Sequence, residues 1–386
     1  MENSNWRDVK LGDHIYTNKK SVSKDYPFDE INYLDTGSIT CNKIDQLQKF
    51  KLSESPSRAK RLVENEDIIF STVRPNQLHY GFVENPIENL VVSTGFVTIT
   101  VNKELIFPKY LYYNIIQSNT IEYLHSIAEA STSTYPSLKP SDIEALEIHL
   151  PPLPEQKAIA SVLSSLDDKI DLLHQQNQTL EALAETLFRQ WFIEEAKEDW
   201  EERPLSSIAN FLNGLACQKF PPKDSINRLP VLKIKDLTSG ISENSDWATT
   251  DVKPEYIIRN GDVIFAWSAS LMVKIWDGED CILNQHLFKV TSEEFPKWFY
   301  YFWCKQHLRE FISIAQSHAT TMGHIKRSDL DEAMVLIPDN DEIEKMTFQM
   351  NPILDKIQLN NNQINSLFKL RNTLLPKLMS GEVRVK

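Results

Sequence analysis

The sequence predicts an α/β (α+β) tandem pseudo-two-fold repeat, with two globular domains separated by a long antiparallel two-helix coiled coil. Three observations predict it. First, Ile159, Leu163, Leu166, Ile170, Leu173, Asn177, Leu180, Ala184, Leu187 and Trp191 follow one another in alternating steps of four and three. A heptad seam with one polar member demands a partner helix. Second, adding 187 to each number gives Met346, Met350, Ile353, Ile357, Asn360, Ile364, Leu367, Arg371, Leu374 and Leu378, a second seam with only Asn360 and Arg371 polar. Third, the same offset carries Asp142 to Asp329, Pro151 to Pro338, Glu155 to Glu342 and Asp168-Lys169 to Asp355-Lys356. A constant offset over some fifty residues marks an internal repeat.

The elements follow in order. Val63 to Thr72 reads as a tight turn feeding a buried strand, and Leu90 to Val101 as strand, being rich in β-branched residues. Pro108-Lys109-Tyr110 opens an amphipathic helix running to about Ile127. A polar Ser/Thr loop, Ser131 to Tyr135, leads to a short strand at Leu146 to Leu150, which Pro151-Pro152 ends before the first long helix. The second half replays this order: Trp200 for Trp6, Ile258 to Phe265 for Val63 to Phe70, Pro296 to Tyr301 for Pro108 to Tyr113, and Thr320 to His324 for the Ser/Thr loop. The offset drifts from about 194 to 187, and the stretches between anchors diverge. Four segments result: a first domain 1–151, a first spacer helix 152–196, a second domain 197–338 and a second spacer helix 339–386.

A helix of this length spans roughly 57 Å at ~1.5 Å per residue. If the two seams face each other, the second helix runs back along the first, and a domain sits at either tip of a stiff bar. Asn177, Asn360 and Arg371 then fix its register. Such a frame fits a two-part target. DNA presents its major groove every ~34 Å, so two tethered heads can read two separated sites.

Composition narrows the chemistry. The ten glycines form neither a G-x-G-x-x-G nor a G-K-[ST] loop. Cys41, Cys217, Cys281 and Cys304 share no metal-ligand spacing, which points to a reducing cytoplasm. The start is polar and no apolar run reaches membrane-helix length, so neither a signal peptide nor a membrane partner is expected. The net charge of −13 leaves room only for local basic surfaces. Between Glu155 and Glu195, eight acidic residues face three basic ones, a surface suited to protein docking or solvent rather than phosphate. Asp142 with Glu147-Ile148-His149 loosely imitates a metal nuclease, but after Pro140-Ser141 it reads as a turn or cap residue. No catalytic or metal-binding residue is expected.

Leu150-Pro151-Pro152-Leu153-Pro154-Glu155-Gln156-Lys157-Ala158-Ile159-Ala160, the Leu166 to Ile170 turn, and Leu374-Leu375-Pro376-Lys377-Leu378-Met379-Ser380-Gly381-Glu382-Val383-Arg384 carry a resemblance. Over essentially its full length the chain resembles the specificity subunit of type I restriction-modification systems. The resemblance implies two target-recognition domains, each reading one half of an asymmetric bipartite site in double-stranded DNA. It implies spacer helices that measure the gap and dock two DNA methyltransferase (modification) subunits. It implies a non-catalytic chain, with S-adenosylmethionine, ATP and Mg bound by the methyltransferase and restriction/translocase partners. The chain departs from the pattern at the second spacer, where Pro338-Asp339-Asn340-Asp341-Glu342 replaces the prolines and Ile343 stands in place of Gln156. A two-headed protein adaptor without DNA specificity, or a fused nuclease fragment, are the alternatives.

Candidate DNA contacts follow from residue chemistry. Arg58, Lys60 and Arg61 are read as lying in a loop after Ser55-Pro56-Ser57, where they suit phosphate and guanine or a solvated surface. Ser71, Arg74 and Asn76 lie at a strand end on a stiff turn; the matching Trp267 and Ser268 come without an arginine, so the two heads should read different bases. The paired loops offer Ser133, Thr134 and Tyr135 in one half and Thr320, Thr321 and His324 in the other, flanked by Lys139 and Lys326. Lys233 and Lys235 alternate with Leu232 and Ile234, which predicts two cations on one strand face. Asn284-Gln285-His286 is either an adenine-reading cluster or a plain hairpin turn.

Overall fold

The structure, a computed structural model, describes residues 5–130, 137–242, 244–317 and 323–385. The chain forms two units, 1–169 with 368–386 and 170–367, passing from one to the other within its long helices. Each unit is mixed α/β, and the two share a two-stranded and two four-stranded sheets of the same strand order, to which the first adds the hairpin Ile39–Thr40 with Lys43–Ile44.

In the first unit, Arg7–Lys10 pairs antiparallel with Glu147–Leu150. One four-stranded sheet runs in the order Gln48–Lys51, Glu30–Leu34, Leu90–Ser93, Ala59–Leu62, its central pair parallel. A second, antiparallel, runs in the order Ile15–Thr17, Phe96–Val101, Ile68–Ser71, Tyr80–Phe82. In the second unit, Glu201–Pro204 pairs with Met334–Ile337. The sheet Trp247–Thr249, Arg228–Leu232, Cys281–Leu283, Ile257–Ile258 again has a parallel central pair. The sheet Asn210–Asn213, Leu287–Thr291, Val263–Ala266, Met272–Ile275 completes the match. The strands Ile68–Ser71 and Val263–Ala266 are buried throughout, as largely apolar strands inside a sheet must be, with Ser71 their one polar member.

Two element readings are corrected. Leu90 to Val101 is two strands in different sheets, separated by Thr94-Gly95; Gly95 is needed because a Cβ there would lie 2.8 Å from Thr36 Cγ2. The helix from Pro108 is two helices, Pro108–Ile115 and Ser118–Ala130. The Gln117 amide and the Thr120 hydroxyl both donate to the Asn114 carbonyl, which ends the first helix.

The long helices span Leu153–Arg189, extended by a π-helical turn Gln190–Glu194, and Asn340–Met379. They pair antiparallel within each unit. In the first, Leu163 shares a core with Leu375 and Leu378, Leu374 packs against it, and Arg371 Nη1 reaches Asp167 Oδ1 at 3.1 Å. The half-buried Leu166 lies one turn on. In the second, Ile170, Leu173 and Ile364 form their own buried cluster with Leu367 against it, and Asn177 meets Asn360 and Asn361. Ile357 is buried, Leu180 is half-buried, and Leu187 and Ile353 pack against the second unit's main core. No helix among the described residues is long and apolar enough to cross a membrane.

The same polar clasp joins each long helix to its own unit. Trp6 Nε1 donates to Glu155 Oε2 at 3.0 Å, and Trp200 Nε1 donates to Glu342 Oε2 at 2.9 Å.

Candidate nucleic-acid interface

In each unit the buried central strand ends and the chain turns sharply. Ser71-Thr72-Val73 leads to Arg74, whose φ is 46°; Ala266-Trp267-Ser268 leads to Ala269, whose φ is 57°. The two turns are held alike. Val73 bridges Ser137 while Leu138 N–H donates to Thr72 O, and Ser268 bridges His324 while Ile325 N–H donates to Trp267 O. A left-handed backbone costs a side-chain-bearing residue roughly 1–2 kcal/mol. Strain kept at equivalent places marks a conformation the fold imposes, and such places concentrate at functional sites. Arg74 and Asn76 are exposed on this turn, with Pro75–Gln77 as a single 3-10 turn behind Arg74. At the same place the second unit has only a methyl group.

Several sequence-based assignments change. Ser71 is buried, and its hydroxyl donates to Val73 O at 3.0 Å, so it faces inward. Lys60 and Arg61 lie on the strand Ala59–Leu62, not in a loop; successive residues there point to opposite faces. Lys60 and Arg58 are exposed, whereas Arg61 is half-buried. Lys233 and Lys235 are not on a strand. The strand ends at Leu232, and Asp236 Oδ2 accepts the Lys233 N–H at 2.9 Å, which starts the helix Ile234–Ser239. The same Lys-x-x-Asp device starts the helices Pro140–Glu144 and Arg327–Glu332, with Asp142 accepting from Lys139 N–H and Asp329 from Lys326 N–H, each at 2.7 Å. Asp142 is thus a cap. Lys139, Lys326 and His324 are exposed beside the paired turns. Ser133, Thr134, Tyr135, Thr320 and Thr321 lie outside the described residues.

The second unit carries a cleft of about 840 Å³ beside its turn. Arg228, Lys233 and Lys235 supply its cations, Trp247 an aromatic face, and Ser268, Gln285 and His286 its polar groups. The Arg228 guanidinium stacks over Trp247 at 4.3 Å, which keeps its charge available while fixing its plane. Lys233 Nζ pairs with Asp246 at 2.5 Å, and that hydrogen bond holds the Asp246 carboxyl below its usual range. Burial pushes the Cys217 thiol up to about 11, so the one cysteine lining the cleft stays neutral. Trp267 is half-buried, its indole N–H on Asn213 Oδ1 at 3.2 Å and its ring stacked on Phe288. It braces the turn from below. Sequence reasoning missed Arg228 and Trp247, which come together only when the strands Arg228–Leu232 and Trp247–Thr249 pair. Among the described residues no three His, Cys, Asp or Glu side chains are grouped to hold a metal ion.

Comparison with known proteins gives this geometry a family. The model of the type I restriction modification DNA specificity domain matches twice, at residues 3–182 and 197–369. The HindI specificity subunit of Haemophilus influenzae is 32% identical over 194 residues, covering 50% of this chain and 41% of that protein. The MjaIX specificity subunit of Methanocaldococcus jannaschii is 29% identical over 333 residues, covering 79% of this chain and 76% of that one. The crystal structure of a type I restriction-modification S subunit from M. genitalium superposes with a TM-score of 0.57 at 15% identity, over 98% of this chain and 97% of that one, a likeness of fold. Two tandem copies of one frame, each matched by the same domain model, make this chain a member of the type I restriction-modification DNA specificity family.

Proposed function

We propose that the chain is the DNA-recognition subunit of a type I complex, each unit reading one half of a bipartite, asymmetric site in double-stranded DNA. The observation that carries this reading is the pair of left-handed turns: one backbone frame, presenting Arg74 in the first unit and Ala269 beside a basic cleft in the second. Arginine suits bidentate contact with guanine, and lysines beside it position the phosphate backbone. A frame repeated with unlike side chains reads unlike sequences.

In this reading the chain performs no chemistry. The long helices set the spacing between half-sites and dock two DNA methyltransferase subunits. S-adenosylmethionine belongs to those subunits, and ATP and Mg to restriction/translocase subunits. The complex works in the cytoplasm. The domain limits are those set by the proline pair and the heptads, 1–151 and 197–338 for recognition, 152–196 and 339–386 for spacing.

The test is binding of the purified chain, alone and with methyltransferase subunits, to a random duplex pool at fixed salt. Enrichment of two short defined blocks supports the reading. A pool unchanged under both conditions would favour a protein adaptor.

A further inference from the structure

Within the cleft of the second unit, one side-chain amide is held ready for a partner. Gln285 Nε2 lies 3.3 Å from His286 Nε2, and His286 Nδ1 lies 3.3 Å from Ser268 Oγ. An amide nitrogen only donates, so in this arrangement His286 Nε2 is the acceptor, which matches the tautomer with its proton on Nδ1, facing the serine oxygen. Ser268 is buried and follows the strand Val263–Ala266. The backbone beneath is pinned as well. Gln285 N–H donates to Leu215 O at 2.8 Å, and a Cβ on Gly214 would stand 2.2 Å from Asn284 O. Asn284, which also lines the cleft, turns its Oδ1 back onto the His286 N–H at 3.2 Å. Gln285 therefore keeps its Oε1 and its second N–H for the half-open cleft.

We propose that Gln285 reads an adenine in the half-site bound by the second unit, with Ser268 and His286 as positioning residues that fix its amide. This rests on the DNA-recognition function proposed for the chain. A glutamine that donates once and accepts once matches the N7 and N6 edge of adenine in the major groove. An amide held from behind loses little rotamer freedom on binding, which favours discrimination over mere contact. Arg228, held over Trp247, supplies a nearby cation for the strand backbone.

The experiment selects bound duplexes from a random pool using the full chain with its methyltransferase partners, as wild type, Gln285→Ala, Gln285→Glu, His286→Ala and the double Ala variant. Gln285→Ala should lose about tenfold to hundredfold preference for adenine at one position, outside the block altered by Arg74→Ala. Gln285→Glu, able only to accept, should favour cytosine there through its amino group. His286→Ala should soften preference at that same position, and the double variant should be no softer than Gln285→Ala, a non-additivity that general loss of structure does not give. Wild-type preference retained at every position by Gln285→Ala and Gln285→Glu overturns the assignment while leaving the recognition function intact. A wild type with no preference anywhere overturns both.

Discussion

Gln156 spends its whole amide on the backbone: Nε2 donates to Leu105 O and Pro151 O at 3.0 and 2.8 Å, and Oε1 accepts from Phe107 N–H at 2.8 Å. Removing it strands three backbone groups, one buried at Pro151 and two part-buried at Leu105 and Phe107; a group left unpaired in a buried place costs about 1–3 kcal/mol, and water or local relaxation recovers part. Gln156→Ala is therefore expected to lower unfolding free energy by about 2 kcal/mol in a urea titration; Ile343→Ala at the equivalent place in the second unit removes apolar packing only. Asp67 gives a pH signature. Burial holds its carboxyl above the ordinary range, while the Glu64 N–H and the Thr100 hydroxyl pull it down. Its folded pKa is raised, so the folded state binds the proton more tightly than the unfolded chain. Its cost to stability is full above the folded pKa and fades as pH falls through it toward the unfolded value. Wild type should gain on Asp67→Asn as pH drops from 7 to about 4.5; a difference independent of pH contradicts this. Arg74→Ala, on an exposed and strained turn, should relax recognition of one half-site only. At this scale the sequence was partly legible. Asp142 read correctly as a cap because proline and serine precede it, whereas Lys233 and Lys235 imitated a strand because alternation over four residues cannot outweigh an Asp236 cap. The Ser268–His286–Gln285 relay was hidden, since it joins segments eighteen residues apart.

At the scale of elements, the long helices were legible because a seam of period 3.5 sustained along a whole helix has no strand reading. Their polar members pair as a register device does. Asn177 Nδ2 donates to Asn361 Oδ1 at 2.6 Å, and Asn360 Nδ2 donates to Asn177 Oδ1 at 2.8 Å, with Asn177 and Asn360 buried. Changing Asn177 alone to Leu leaves Asn360 unpaired and should cost about 1–3 kcal/mol. Changing both to Leu should restore stability to wild type or above, because the pair specifies alignment at some cost in stability. Thermal melts of the wild type and the two variants check the order; equal loss in the single and double variants contradicts it. Pairing of the short strands was not legible. Such brief runs, with partners far along the chain, carry no periodic signal of their own, and the parallel central pairs had no local cue.

For the whole molecule, the repeat explains how an acidic chain would recognise nucleic acid. The frame is shared down to the Trp6–Glu155 and Trp200–Glu342 clasps, while the exposed positions on it differ. On the reading proposed above, recognition rests on a few cations and amides rather than on overall charge, and it should weaken with salt by the small slope that few phosphate contacts give. The repeat itself was legible from the offset of 187, because both copies had to keep the same capping and core residues. Which faces the divergent stretches present was not, because that depends on sheet pairing. The most direct measurement is single-molecule mapping of methylated bases in DNA from cells carrying this chain, wild type or Arg74→Ala, with the methyltransferase subunits proposed to dock on it. Two reading units predict a motif of two short defined blocks flanking unread base pairs, with the variant degenerate in one block alone. One continuous block, or degeneracy in both, would contradict it.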